Sequence, residues 1–232
     1  MQLVPQVSLA VTVALLAGGT SLGMHESQSR MWENLVGRSR PFWKYFFPIL
    51  KGYFPEQLAD QTAESFYRAA NTVKPSFIRV EADEVTYALH IMLRFELEND
   101  MLERKIKISE VPEAWNAKME DFMDLTPPTT ALGALQDIHW ANGYIGYFPT
   151  YQLGNLISAQ LWEKVIETIP DLNDQIEHGE FTALLDWLRK NVHMHGRKFT
   201  SNELLTRITG RGLDSAPYIR YLKKKYSDIY GL

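Results

Sequence analysis

The sequence predicts an all-α protein with at most one short strand pair, and three observations carry that prediction. Apolar residues recur at three- and four-residue intervals, as in Val85, Leu89, Met92, Leu93 and Phe95. Helix-start signals also recur: Pro55 followed by Glu56, the Thr200-x-x-Glu203 capping box, and Ala216-Pro217. The breaks between these stretches are a few residues long, as expected for helix connections within one packed unit.

Taken in order, Ser21 to Gly37 reads as a helix of good formers stopped by glycine. Pro41 to Tyr53 is densely aromatic, and Pro48 is expected to break or kink it. Pro55 to Val73 has helical spacing and ends at Lys74-Pro75-Ser76. Ala82 to about Glu98 follows, with Asp83 and Glu84 in its first turn, where carboxylates favour the helix dipole. Lys105 to Ile108 alternates charged and apolar residues and reads as a short strand or a connector. Pro112 to Phe122 is amphipathic, and Thr126 to Thr130 is a clear break. Gly133 to Gly146 fits no single element. Tyr151 to Thr168, Gly179 to about His193, Thr200 to Gly210 and Ala216 to Tyr230 complete the helices.

Composition narrows the function classes. With 45% hydrophobic and 12% aromatic residues, the chain can bury a substantial core rather than remain disordered. A net charge of −4 argues against a nucleic-acid partner, since neutralising phosphates needs a basic surface. The basic run Lys223-Lys224-Lys225 reads as a solvated helix end. With no cysteine, no disulfide, thiolate nucleophile or cysteine metal site is possible. This fits a reducing, cytoplasmic setting, and any metal must be held by His, Asp or Glu.

Residues 1–18 stand apart as a leader. Val7 to Gly19 is apolar but short of the roughly 20 residues a membrane helix needs. No Lys or Arg precedes it, so it makes a poor signal peptide. A misplaced start ahead of a truncated gene ranks first, a buried helix next and a signal peptide last. No membrane association is expected, and residues 19–232 read as one continuous domain.

Three segments carry candidate chemistry. In His25-Glu26-Ser27-Gln28, Glu26, Arg30 and Glu33 fall on one helix face, suiting either a carboxylate metal ligand or ordinary surface ion pairs. In Ile78 to Asp83, Arg79 offers a planar fork suited to a carboxylate, and Asp83 would hold that fork if the turn is helical. From Gly133 to Asn155, glycines mix with Gln136, Asp137, His139 and several tyrosines, as where a backbone approaches a ligand, or in a buried aromatic turn. His193 and His195 sit at a helix end and are assigned no chemistry.

Read together, H-E-S-Q at 25–28, I-R-x-x-A-D at 78–83 and G-x-x-Q-D-x-H-W at 133–140 resemble three signature motifs of the carboxypeptidase Taq family, in that family's order. The resemblance runs from about Gly19 to the end, roughly the second half of a family chain. It implies a helical, groove-containing metallopeptidase fold, a homodimer, and release of carboxyl-terminal residues from peptides with zinc or cobalt. By motif, Glu26 is the third protein ligand of the metal and Arg79 binds the substrate's terminal carboxylate. His139, Tyr147 and Tyr151 line the same pocket.

The sequence departs from that pattern in one decisive way. No H-E-x-x-H is present, so the paired histidine ligands and the base glutamate are missing, as is the D-x-R-x-T motif. No catalytic residue is therefore assigned in this chain. Glu26 alone does not make a catalytic zinc site, which needs three protein ligands and an open position. The expectation is a truncated gene or one half of a split enzyme, inactive by itself and partnered by a missing amino-terminal half or a second copy. The alternative is a non-catalytic helical module that binds peptides or dimerises.

Overall fold

The structure is a computed structural model that describes residues 16–232, all of them helix, turn or loop, with no strand among them. Most of the leader assigned to residues 1–18 lies outside the described residues. Leu16 to Gly19 are held by Arg197, whose backbone N–H donates to Leu16 O at 2.7 Å and whose Nε donates to Gly19 O at 3.1 Å. No described helix is long and apolar enough to cross a membrane.

The chain packs as two units. One runs through Ala70 and resumes at Leu153–Leu232, and the other is Asn71–Gln152. The sequence gives no linker at these crossings: the first falls just after a helix and the second falls inside one.

The larger unit begins with α1 (Leu22–Arg30), capped by Ser21 Oγ, which accepts from Met24 N at 3.1 Å. α1 runs into a π-helical segment, Met31–Val36, closed by Gly37 N donating to Trp32 O. The wide turn lets Met31, Leu35 and Val36 all reach the core while Glu33 stays out, paired with Arg30 at 3.0 Å. α2 (Arg40–Tyr53) is continuous through Pro48. The proline removes one backbone donor, but ring contacts hold the helix from both sides, Trp43 on Phe66 and Phe46 on Phe181.

α3 is shorter than its pattern suggests, at Ala63–Ala70. Thr62 and Ser65 cap each other reciprocally and fix its start, while residues 54–62 form turns stapled by Lys51 Nζ to Ala59 O and Gln61 O. After α6 (Pro149–Thr168) come α7 (Leu172–Glu177), α8 (Thr182–Asn191), α9 (Ser201–Thr209) and α10 (Ala216–Tyr230). α7 was hidden between Pro170 and Gly179, too short to show a period. The capping box at Thr200 forms as predicted, with Thr200 Oγ1 accepting from Glu203 N at 3.3 Å. The core of this unit gathers Met31, Leu35, Ile157, Leu161, Val165, Leu172, Ile176, Leu184, Leu188 and Leu204. Ile157, Leu161 and Val165 form one i, i+4, i+8 stripe of α6.

The smaller unit holds α4 (Tyr87–Leu102) and α5 (Val111–Met123). Of the two readings of Lys105 to Ile108, a short strand or a connector, the connector is the one that forms. Four residues between two helices find no partner strand; they bend into a 3₁₀ turn at Ile108–Glu110, with Glu110 accepting from Lys107 N at 2.8 Å. Leu93, Leu97, Trp115, Met119 and Met123 make the α4–α5 core. A second cluster, Ala82, Tyr87, Ile91 and Phe148, lies on another part of the same unit and shares Trp140 with the first.

Leu161 is fully buried within the larger core. Leu161→Ala is expected to lower unfolding stability by about 2–5 kcal/mol through lost transfer energy and a residual cavity. Urea unfolding monitored by far-UV circular dichroism measures that loss.

Candidate substrate-binding site

The smaller unit buries an unusual amount of charge. α4 places His90, Arg94 and Glu98 at i, i+4 and i+8, so one polar line runs down an otherwise apolar buried face. The loop from Gly133 to Phe148 lies along that line. It is secured by Gln136, whose Nε2 donates to Phe77 O at 2.9 Å and whose Oε1 accepts from Arg79 N at 2.8 Å. Glu98 secures its other end, accepting from Trp140 Nε1 at 2.8 Å and from Gly146 N. Gly146 makes that contact at φ +80°, where a side chain is strained.

At the centre, Asp137 bridges two guanidinium groups. Its Oδ1 accepts from Arg79 Nε at 3.2 Å and Nη2 at 2.6 Å. Its Oδ2 accepts from Arg94 Nε at 2.8 Å and pairs with Arg94 Nη2 at 2.6 Å. Arg94 is wholly buried over the Trp115 ring and donates from Nη1 to His90 O at 2.8 Å. Arg79 retains slight exposure, 6% of its side chain, and stacks over the Tyr151 ring at 4.8 Å. Arg79 Nη1 donates to Tyr87 Oη at 2.9 Å. A guanidinium carries five N–H groups. These contacts use Nε–H and one hydrogen on each Nη, so one N–H remains on Nη1 and one on Nη2.

His139 joins the group from the loop. Its Nε2 lies 3.0 Å from Tyr151 Oη, and its Nδ1 lies 3.7 Å from Asp137. Tyr147 packs on His139 and on Tyr151, with ring centroids 5.3 and 5.4 Å away. Four of the five residues singled out from the sequence, Arg79, His139, Tyr147 and Tyr151, thus share one cluster. The fifth, Glu26, belongs to the other unit.

Electrostatics follow from burial and pairing. Burial works against the charge on Arg79, yet its bonds to Asp137 outweigh that and hold its pKa above the usual arginine value. Burial likewise raises Asp137, but the two guanidinium groups overcome it and keep the carboxyl below its usual range. Burial pulls Arg94 down to about 10, which leaves it cationic at neutral pH. His139 is lowered, mainly by burial, with Asp137 opposing. His90 is lowered furthest, to about 4, by burial and then by the Arg94 and Arg79 charges.

Two sequence readings need correction. Asp83 does not hold Arg79. Its Oδ1 accepts from Val85 N and Thr86 N, both at 2.9 Å, which postpones the start of α4 from Ala82 to Tyr87. The carboxylate on Arg79 comes from Asp137, 58 residues away along the chain. Arg94 and Tyr87 were missed as members of the cluster. The line His90–Arg94–Glu98 was the signal available for Arg94.

In the larger unit, Glu26 is half-buried on α1, and its Oε2 accepts from Ser29 Oγ at 3.1 Å. A Cβ on Gly154 of α6 would lie 2.7 Å from Glu26 Cβ and 2.8 Å from its carbonyl carbon, so glycine is required for this approach. Gln28 Oε1 lies 2.9 Å from His193 Nε2, which gives that histidine a positioning contact. Among the described residues no group of three His, Asp or Glu side chains could hold a metal. The residues described here therefore do not fit a catalytic metal site.

The chain is helical and buries a cluster of charged and aromatic side chains, and comparison with known proteins identifies its family. The carboxypeptidase Taq (M32) metallopeptidase family matches residues 6–226. The chain is 47% identical over 211 residues to thermostable carboxypeptidase 1 of Thermus thermophilus, covering 91% of this chain and 41% of that protein. It is 42% identical over 215 residues to carboxypeptidase 1 of Bacillus subtilis, covering 93% of this chain and 43% of that protein. Among solved structures, the M32 carboxypeptidase of Deinococcus radiodurans matches with a TM-score of 0.93 at 47% identity, over 97% of this chain and 46% of that chain. The chain belongs to the carboxypeptidase Taq (M32) metallopeptidase family and spans under half the length of the relatives it matches.

Buried His90 ties stability to pH. The unfolded chain takes up a proton near pH 6.5, whereas the folded ring does so only near 4. Stability therefore falls as pH drops through that window and levels off below it, by on the order of 3 kcal/mol from this group. Asp137 acts in the same direction at lower pH, since its depressed pKa makes its contribution disappear on acidification. His90→Phe is expected to flatten the dependence of unfolding midpoint on pH between 6.5 and 4; an unchanged slope would assign the effect to other groups.

Proposed function

We propose that this chain is the carboxyl-terminal part of a metal-dependent carboxypeptidase and supplies the site that grips the substrate's terminal carboxylate. The observation that supports this reading is the Arg79 guanidinium, fixed on one edge by Asp137 and still holding one N–H on each Nη. Such a fork can donate two charge-assisted bonds to a carboxylate. His139, Tyr147 and Tyr151 would flank the bound group, with the His139–Tyr151 pair offering a further polar contact. Fixing the last carboxylate selects the last peptide bond for reaction.

The family implies a metal cofactor, zinc or cobalt by resemblance, and Glu26 is the residue of this chain proposed to ligate it. No chemical step is assigned to that metal, because the other ligands and the base are not among these residues. The chain alone is proposed not to cleave peptides. Its proposed partner is a segment bearing the paired histidines or, for assembly, a second copy. The binding-module reading is supported by the same cluster, since the Arg79 fork needs no metal to hold a carboxylate.

The purified chain should bind a short peptide with a free carboxyl terminus at least about tenfold more tightly than its amide, as calorimetry reads it. Arg79→Gln should abolish that difference. Metal analysis should find no stoichiometric zinc or cobalt. Release of carboxyl-terminal residues by the chain alone, free of contaminating proteases, overturns the proposed inactivity. Joined to the segment that supplies the rest of its relatives' length, Glu26→Ala should lower bound metal; unchanged metal content removes Glu26 as a ligand.

A further inference from the structure

The Arg79–Asp137 pair, taken alone, is poorly suited to attract an anion. The two charges cancel, and a carboxylate arriving at Arg79 would meet Asp137 close by. Arg94 resolves this difficulty without touching the ligand. It is fully buried; its Nε donates to the second oxygen of Asp137 at 2.8 Å, and its Nη2 lies 2.6 Å from that oxygen as an ion-pair contact. We propose that Arg94 is a specificity-determining positioning residue: by neutralising Asp137 it frees the charge of Arg79 for an incoming carboxylate. The inference rests on the carboxylate reading of Arg79 and assigns the charge balance behind it.

The surrounding groups fit this role. Glu98 is the other carboxylate on the polar line of α4, and it is turned to Trp140 Nε1 and Gly146 N. Arg94 keeps its remaining contacts to backbone and rings, donating to His90 O and lying 5.3 Å from the Phe148 ring. An arginine that served only for packing would not need its fork on the same carboxylate that clamps Arg79. Asp137 in turn orders both guanidinium groups, so the three side chains act as one unit with an excess of one positive charge.

Three variants of the full chain test the assignment: Arg94→Lys, Arg94→Gln, and Arg94→Gln combined with Asp137→Asn. Affinity is measured for one peptide with a free carboxyl terminus and for its amide. The wild-type preference for the free carboxylate should persist in Arg94→Lys, fall to near parity in Arg94→Gln, and return in the double variant, where Arg79 again stands unopposed. A packing role would not produce that recovery. If Arg94→Gln alone does not fold, the double variant decides: preference at the wild-type level supports the inference, and its absence overturns it.

A second readout needs no ligand. His139 faces Asp137, Arg79, Arg94 and Glu98, with Tyr147 and Tyr151 against its ring. Its titration, followed by NMR, should move upward in Arg94→Gln, as Asp137 becomes uncompensated, and return downward in the double variant. A wild-type chain that shows no preference overturns the carboxylate reading and this inference with it. A preferring wild type matched by an equally preferring Arg94→Gln, with His139 unmoved, overturns this inference alone.

Discussion

The smaller unit is organised around one carboxylate shared between two buried guanidinium groups. Burying two cations is costly unless each is met by a counter-charge. Asp137 meets both at once, and the rest of the loop follows from that demand. Gln136, next to Asp137, ties the backbone of Arg79 to the loop, and His139 two residues on falls beside the same oxygens. Glu98 then closes the far end. A segment rich in glycine and aromatic residues, with no helical period, acquires a defined path because its polar groups have fixed partners on α4.

The apolar scaffold makes that arrangement affordable. Leu93 and Leu97 anchor α4 against α5, and Trp115 covers the Arg94 guanidinium with its ring. Phe148 lies 5.7 Å from the Arg79 guanidinium and 5.3 Å from that of Arg94, so both cations rest on aromatic faces. These faces exclude water while offering a favourable quadrupole. The core of the larger unit is of a different kind, leucine-rich and without buried ionised side chains among the described residues.

Much of the fold was legible because helical periodicity and caps are local. Ser21, Thr200 and Gly210 mark helix ends in the sequence and mark them in the structure. The errors arose where a longer-range partner overrode a local signal. Pro48 was expected to break or kink its helix; the helix is not broken there, and Trp43 packs on Phe66 beside it. Asp83 looked like the partner of Arg79 because it is near in sequence, yet its oxygens are claimed by the turn that starts α4. Asp137 could not be paired with Arg79 from spacing, since only the fold brings them together. Motif resemblance did place Arg79, His139, Tyr147 and Tyr151 in one pocket, and the geometry gathers them. Arg94 escaped notice because a charged residue on a helix that also carries Glu96, Glu98 and Asp100 resembles a solvated one until its face is known.

The bare Cα of Gly154 sets a ruler for Glu26. With no side chain between the two backbones, the root of the Glu26 side chain is pinned to the axis of α6, and only its own torsions remain to adjust the carboxylate. A methyl group at residue 154 would have to push α1 and α6 apart at Glu26, so the width of that seam is set by an atom the sequence leaves out.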